Sequence, residues 1–234
     1  MAVATTGDAI ERIGHGEMVV VVDDDGENAT GDLVLAAEFA ESDSINRMMR
    51  VARGTMCVAL TPERVEALGL TPMSPDGWGG GQTAFAVSVD ARWGMETGDT
   101  ARDRALTIQT LIDPDTRSEY LVRPGHVFPI RAAEGGVLKR VGHTEAAVDL
   151  ARLAGLTPAG VTAQILREDG SAANMDELLE VGEELGIAVT TIADLIRHRS
   201  KTERLISREA EASLPTLWGD FRAIIYTSEV DEAA

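Results

Sequence analysis

Basic residues are scarce in this chain. Across 234 residues, 21 Lys and Arg face 39 Asp and Glu, a formal charge of −18. A surface this acidic repels phosphate backbones and anionic lipid, which argues against nucleic acid or a membrane surface as partner. Cysteine is almost missing: Cys57 alone makes neither an internal disulfide nor a four-thiolate zinc site. Long apolar runs are missing too. The stretch Met18–Val22 is five residues, against roughly 20 for a membrane-spanning helix. The opening residues Met1–Gly7 lack the basic and apolar regions of a signal peptide, so the expected location is the cytoplasm. There is no Walker loop, no Gly-x-Gly-x-x-Gly fingerprint and no Gly-x-Ser-x-Gly elbow, which leaves nucleoside-triphosphate, dinucleotide and serine-hydrolase chemistry without support.

What is there is an ordinary globular composition, 44% hydrophobic, with apolar runs alternating with amphipathic stretches. Val19–Val22 reads as a buried strand, Leu33–Ala40 as a second apolar stretch, and Ile45, Met48 and Met49 recur at helical spacing. Met56–Leu60 is strand-like, and Thr61-Pro62 opens a helix that stops near Gly69. Ala84–Val89 alternates as a strand does. Thr144 reads as the cap of a helix through Ala154, Val161–Leu166 as a strand, and Asn174 as the cap of a helix ended by Gly186. Ile187–Ile192 is expected to be a strand. Gly77–Gly81 is a flexible loop, and Glu119–Lys139, rich in Pro, Gly and Arg, shows little periodicity. Beyond Arg199 the chain becomes charged and ends in a short apolar strand, Phe221–Tyr226. The expected fold is a mixed α/β (α+β) single domain over residues 1–199, a mixed sheet flanked by helices, with 200–234 as an appendage.

Two features carry chemistry. The acidic turn Asp23-Asp24-Asp25-Gly26-Glu27-Asn28 follows a buried strand and precedes Gly31-Asp32. Carboxylates there suit a hard cation such as Mg²⁺; a solvated acidic loop is the alternative. The second feature is an echo: Arg123-Pro-Gly-His126 and Arg140-Val-Gly-His143 repeat Arg-x-Gly-His, and the second copy runs into a helix start. Free N–H groups there, with Arg140, Gly142 and the Thr144 hydroxyl, would make an anion pocket in an acidic protein; a structural histidine is the alternative. His15 and His198 read as surface residues. Cys57 reads as a core residue near a strand end.

These residues resemble a known family. Arg123–Pro129, Gly135–Leu138, Arg140–Leu150, Leu153–Gly160 and Val20–Asp24 are similar to 3,4-dihydroxy-2-butanone-4-phosphate synthase, from about Asp8 to Arg199. The resemblance implies an α/β homodimer with residues of both subunits near the active sites. It also implies that ribulose 5-phosphate is converted, with Mg²⁺ (or Mn²⁺) and no organic cofactor, into a four-carbon phosphate and formate on the way to riboflavin. Glu211–Arg222 resembles the linker and first strand of GTP cyclohydrolase II, whose zinc cysteines this chain lacks.

Carried over residue by residue, the family pattern makes Arg140, Gly142, His143 and Thr144 the phosphate site, with His143 also a metal ligand. It makes His126 an essential histidine and Asp32 a substrate aspartate. The loop departs from the family's Asp-Asp-x-Asp-Arg-Glu-Asn-Glu-Gly-Asp. Without a gap its Arg and metal-binding Glu fall on Glu27 and Asn28; a compensating insertion and deletion would place Glu27-Asn28 on the family's Glu-Asn. The family's Cys-Glu, whose Glu is essential, is Ala163-Gln164, and its Thr-Gly-Ile-Ser is Thr97-Gly-Asp-Thr100, which assigns Thr100 to the substrate. Replacing one acid/base group costs ~10²–10⁴ in rate. The sequence therefore favours a divergent family enzyme on ribulose 5-phosphate or a related sugar phosphate, with isomerase- or lyase-type chemistry. A non-catalytic sugar-phosphate binder or partner of an active paralogue, and the ordinary synthase, are the alternatives.

Overall fold

The computed structural model describes residues 3–23, 29–78 and 83–228. Helix α1 (Thr6–Gly14) is capped by Thr5, whose hydroxyl accepts from the Asp8 amide. Strands β1 (Val19–Val22) and β2 (Gly31–Ala36) lead to helix α2 (Ser42–Ala52), strand β3 (Arg53–Leu60) and helix α3 (Pro62–Ala67). Next come β4 (Val89–Ala91), α4 (Ala101–Ile112), β5 (Leu121–Arg131), α5 (His143–Leu153) and β6 (Ala159–Ile165). Helix α6 (Met175–Leu185), β7 (Ala188–Thr191) and α7 (Ile192–Thr202) complete the body, and β8 (Ile206–Thr216) and β9 (Gly219–Ser228) form a separate hairpin.

The body is one seven-stranded mixed sheet in the order β4-β5-β3-β6-β2-β1-β7. Pairs β1–β7 and β3–β5 are parallel and the others antiparallel. Both faces are covered, so the central strands are apolar without a break, as in the four valines of β1. Side-chain alternation divides the core in two. Val20, Val22, Leu33, Leu35, Val58 and Val161 pack with Ile45 and Met48 of α2, Ile108 of α4 and Leu178 of α6. Val19, Val21, Val34, Ala36 and Ala59 pack with Ile13 of α1, Ala147 and Leu150 of α5 and Ile192 of α7. Helix α5 sits close to β6 because Gly160 has no side chain; a methyl group there would lie 2.8 Å from Ala147 Cβ.

The mixed α/β expectation holds, as do the Thr61 cap, the Asn174 cap and the left-handed Gly186 stop. Several local expectations do not. Ala84–Val89 is not a strand; Phe85 and Ala86 make single bridges, and β4 begins only at Val89. Glu119–Lys139 contains β5, hidden because Pro124, Gly125 and Pro129 look like breakers, yet the strand pairs with both β3 and β4. Thr144 is not a cap. Gly142, extended at φ −152° and ψ 157°, holds that position, and the helix begins at His143. The strand expected over Ile187–Ile192 is shorter, because Ile192 already starts α7 under the Thr191 cap. Helix α7 runs past residue 199 to Thr202, so the body ends inside the charged stretch.

Candidate active site

Period-two alternation builds the site. Asp32 shares a face of β2 with Val34 and Ala36, and Cys57 shares a face of β3 with Ala59, which places both on the α5 side of the sheet. Across the ladder Asp32 is opposite Gln164, and Thr162 is opposite both Val34 and Cys57. Three adjacent strands thus present Asp32, Cys57, Thr162 and Gln164 to one cavity of about 550 Å³, which Thr30, Thr83, Phe85 and Ile130 also line. Gly54 completes the floor: a methyl group there would lie 2.4 Å from the Gln164 carbonyl oxygen.

Helix α5 points its N-terminus at the same cavity, with Arg140, Val141, Gly142, His143, Thr144 and Glu145 at the wall. Gly142 offers no side-chain cap, so first-turn N–H groups remain for an acceptor from outside the helix. Glu145 is fully buried, and its Oε1 accepts from Arg140 Nε at 2.8 Å and from the Ala133 amide at 2.8 Å. This fixes the Arg140 guanidinium, whose Nη2 also reaches the Arg131 carbonyl at 3.2 Å. His143 Nδ1 is 3.9 Å from Asp32 Oδ1, and its Nε2 is buried without a hydrogen-bond partner.

Burial pushes the Asp32 carboxyl above its ordinary value, against the opposing pull of His143 and of a hydrogen bond from Thr162. Burial, with the Asp32 charge behind it, pushes the Cys57 thiol up to about 12. Cys57 therefore lines the cavity as a neutral thiol.

The Arg-x-Gly-His echo is not a structural repeat. The second copy starts α5, whereas the first lies within β5, where Gly125 packs against the Val89–Asp90 backbone. His126 and Thr100 do not line the cavity of their own chain. They form a second cluster: His126 Nδ1 meets Asp90 Oδ2 at 2.7 Å, and Thr100 caps α4 by accepting from the Asp103 amide. Asp103, fully buried, accepts from the amides of Thr97 at 3.0 Å and Gly98 at 2.9 Å. The Thr97 amide, followed by the other donors, holds the Asp103 carboxyl down to about 2. Glu27 and Asn28 lie outside the described residues.

Known proteins agree with this architecture. Residues 7–198 match the family of 3,4-dihydroxy-2-butanone 4-phosphate synthase. The chain belongs to that family. Among curated relatives, "Riboflavin biosynthesis protein RibBA" of Aquifex aeolicus is 50% identical over 224 residues, 95% of this chain and 55% of that protein. The 3,4-dihydroxy-2-butanone 4-phosphate synthase of Pseudomonas syringae pv. tomato is 45% identical over 99% of this chain and 63% of its own length. The chain therefore spans a little over half the length of these curated relatives. Among solved structures, RibBX of A. baumannii, a two-domain 3,4-dihydroxy-2-butanone 4-phosphate synthase, superposes with a TM-score of 0.88 at 38% identity. It covers 98% of this chain, which in turn covers 68% of it. A synthase solved in complex with two magnesium ions gives a TM-score of 0.80 at 39% identity, over 85% of this chain and 98% of its own.

A divalent cation fits the described part of the site through His143. Its buried, unpartnered Nε2 is a donor that a metal ion would satisfy, with carboxylate oxygens needed beside it. Among the described residues no three His, Cys, Asp or Glu side chains cluster to hold a metal by themselves. The synthase family residues thus divide between the cavity and the His126 cluster. Sequence reasoning missed Thr162, Glu145 and Asp90. Strand alternation back from Gln164 would have found Thr162. Glu145 and Asp90 gave no signal, because one is an unremarked helix residue and the other belongs to a three-residue strand.

Proposed function

We propose that this synthase-family cavity binds ribulose 5-phosphate and converts it, with Mg²⁺, to 3,4-dihydroxy-2-butanone 4-phosphate and formate, a step that supplies riboflavin biosynthesis. The observation that carries the reading is the convergence of Asp32, Thr162, Gln164 and His143 beneath the open N-terminus of α5, on a chain 50% identical to a riboflavin-biosynthesis protein. The phosphate rests on the first-turn N–H groups, Arg140 and the Thr144 hydroxyl, and Glu145 keeps Arg140 from swinging away. A cavity of this size and polarity suits a five-carbon phosphate.

Expelling one carbon from a ketopentose requires proton removal next to the carbonyl and proton return afterwards, so the site needs acids and bases near the sugar carbons. Asp32, raised by burial, is poised to hold or release a proton at its carboxyl oxygens. Thr162 orients that carboxyl, and Gln164 donates and accepts hydrogen bonds without exchanging a proton. His143, with oxygens of the acidic loop, would hold the cation, which supplies electrophilic polarisation of the sugar oxygens when bound. His126 is the remaining proton carrier. Its place outside its own chain's cavity supports the homodimer that the family resemblance implies, with His126 of the partner subunit serving the cavity. Mixing His126→Ala with Asp32→Asn protein should then restore activity that neither has alone. No restoration, together with a monomeric mass in light scattering, would reject the dimeric site.

A second reading has one observation in its favour. With Gln164 in place of an acid/base glutamate, the sequence of proton transfers stops early and gives an isomerised or dehydrated phosphate without formate. Incubation with ¹³C-labelled ribulose 5-phosphate and Mg²⁺, followed by NMR, separates the two. Formate and a four-carbon phosphate in equal amounts support the first. A five-carbon product supports the second.

A further inference from the structure

The His126 cluster contains a device that the sequence does not announce. Between β4 and β5 the register jumps from Val89 opposite Val127 to Asp90 opposite Val122, so Arg123–His126 have no cross-strand partner in the ladder. Asp90 fills that gap with its side chain. Its Oδ1 accepts from the His126 amide at 2.9 Å and its Oδ2 meets His126 Nδ1 at 2.7 Å. The Asp90 side chain is 9% exposed, whereas that of His126 is 45% exposed. The pair is covered by Gly98, at φ +87°, where a methyl group would lie 2.4 Å from Nδ1 and 2.7 Å from Oδ2. Only a glycine lets this turn close over the contact, and Asp103 anchors the turn through the Gly98 amide.

We propose that Asp90 is a positioning residue that fixes His126 as the Nδ1–H tautomer and aims its unprotonated Nε2 out of the cluster as the proton acceptor. An ionised carboxylate has only acceptors, so a neutral imidazole at 2.7 Å must place its hydrogen on Nδ1. The second oxygen, on the backbone amide, locks the carboxyl plane relative to the ring. The other charged groups facing this cluster are Arg104, which donates to the His126 carbonyl at 2.9 Å, Asp99, which pairs with Arg104, and Asp103 beneath the turn. Neither Asp99 nor Asp103 hydrogen-bonds the ring, so the tautomer is set by Asp90.

Asparagine at position 90 reverses the logic. It has one acceptor where the cluster needs two, because both the His126 amide and Nδ1–H donate. The backbone amide cannot turn away, so it keeps the amide oxygen, and the NH₂ group faces Nδ1. The ring must then carry its hydrogen on Nε2, which removes the outward acceptor.

The kinetic part of this proposal rests on the reading of His126 as the proton carrier; the tautomer does not. The test is ¹⁵N NMR of the full chain with labelled histidine, at a pH where the rings are neutral, with His126→Gln assigning the resonance. In the unsubstituted protein His126 should show a protonated Nδ1 and a bare Nε2. Asp90→Asn should exchange the two while His15, His143 and His198 keep their shifts, and should lower kcat by ~10²–10⁴ with KM nearly unchanged. A bare Nδ1 in the unsubstituted protein would overturn the proposal even if Asp90→Asn failed to fold. An unchanged tautomer, or unchanged kcat, in a folded Asp90→Asn protein would overturn it as well. Absence of turnover in the unsubstituted protein would count against the proposed function and leave the tautomer measurement decisive here.

Discussion

Gln164 is held where it is by its neighbours: Asp32 lies across the ladder and the hydrogen of Gly54 faces its carbonyl oxygen. A glutamate there needs no new space, only a new charge beside Asp32. Gln164→Glu should therefore leave the fold intact and raise the rate of formate release by ~10²-fold or more, read by NMR. No gain would mean that the other proton carriers already meet the need. Asp103 makes a different residue-scale prediction. Its folded value, about 2, lies below the ordinary carboxylate value, so the Thr97–Thr100 turn gains stability above the unfolded value and loses it only as pH falls toward about 2. Amide exchange at Thr97 and Gly98 should stay protected down through about pH 4 and then fail; loss of protection already above that range would contradict the account.

At the scale of elements, the site exists because three strands keep register and one helix starts at the right place. Gly54→Ala tests the first condition. Its methyl group collides with the β6 backbone rather than with a flexible side chain, so a loss of about 1–3 kcal/mol in urea denaturation is expected. This level also shows what the sequence could tell. The apolar strands β1, β3 and β6 and the caps at Thr61 and Asn174 were legible because alternation and capping are local. Strand β5 was not, because its prolines and glycine are tolerated only through pairings far along the chain. Thr144 misled for a related reason. Its hydroxyl resembles a cap in sequence, whereas the structure gives the cap to Gly142 and leaves Thr144 on the cavity wall. The motif Arg140–Thr144 stands out in the sequence and lines the cavity, but the clamp on Arg140 by Glu145 is a tertiary fact.

At the scale of the molecule, the body and the hairpin are built differently. The body has two apolar layers around one sheet, whereas β8 and β9 pair with each other in a separate two-stranded sheet. Register puts Ala210, Ala212 and Leu214 beside Ile225, Ala223 and Phe221, an apolar face with exposed Leu214, Phe221 and Ile225. Before the hairpin, Arg199 ties the body together. It donates to the Gly135 carbonyl and to Asp149, and pairs with Glu203. A chain ending at residue 205 keeps this network, so it should retain its melting temperature and its turnover; loss of either would place the hairpin inside the working unit. Against an excess of acid over base of −18 in total, Arg140 at the α5 N-terminus sets a cation on the cavity wall, where the proposed phosphate would rest. That site and the cavity beneath it are the centre of the account. The most direct test is NMR of ¹³C-labelled ribulose 5-phosphate with the protein and Mg²⁺. The proposed conversion gives formate and 3,4-dihydroxy-2-butanone 4-phosphate together in equal amounts. Substrate left intact, or consumed without formate, would contradict it.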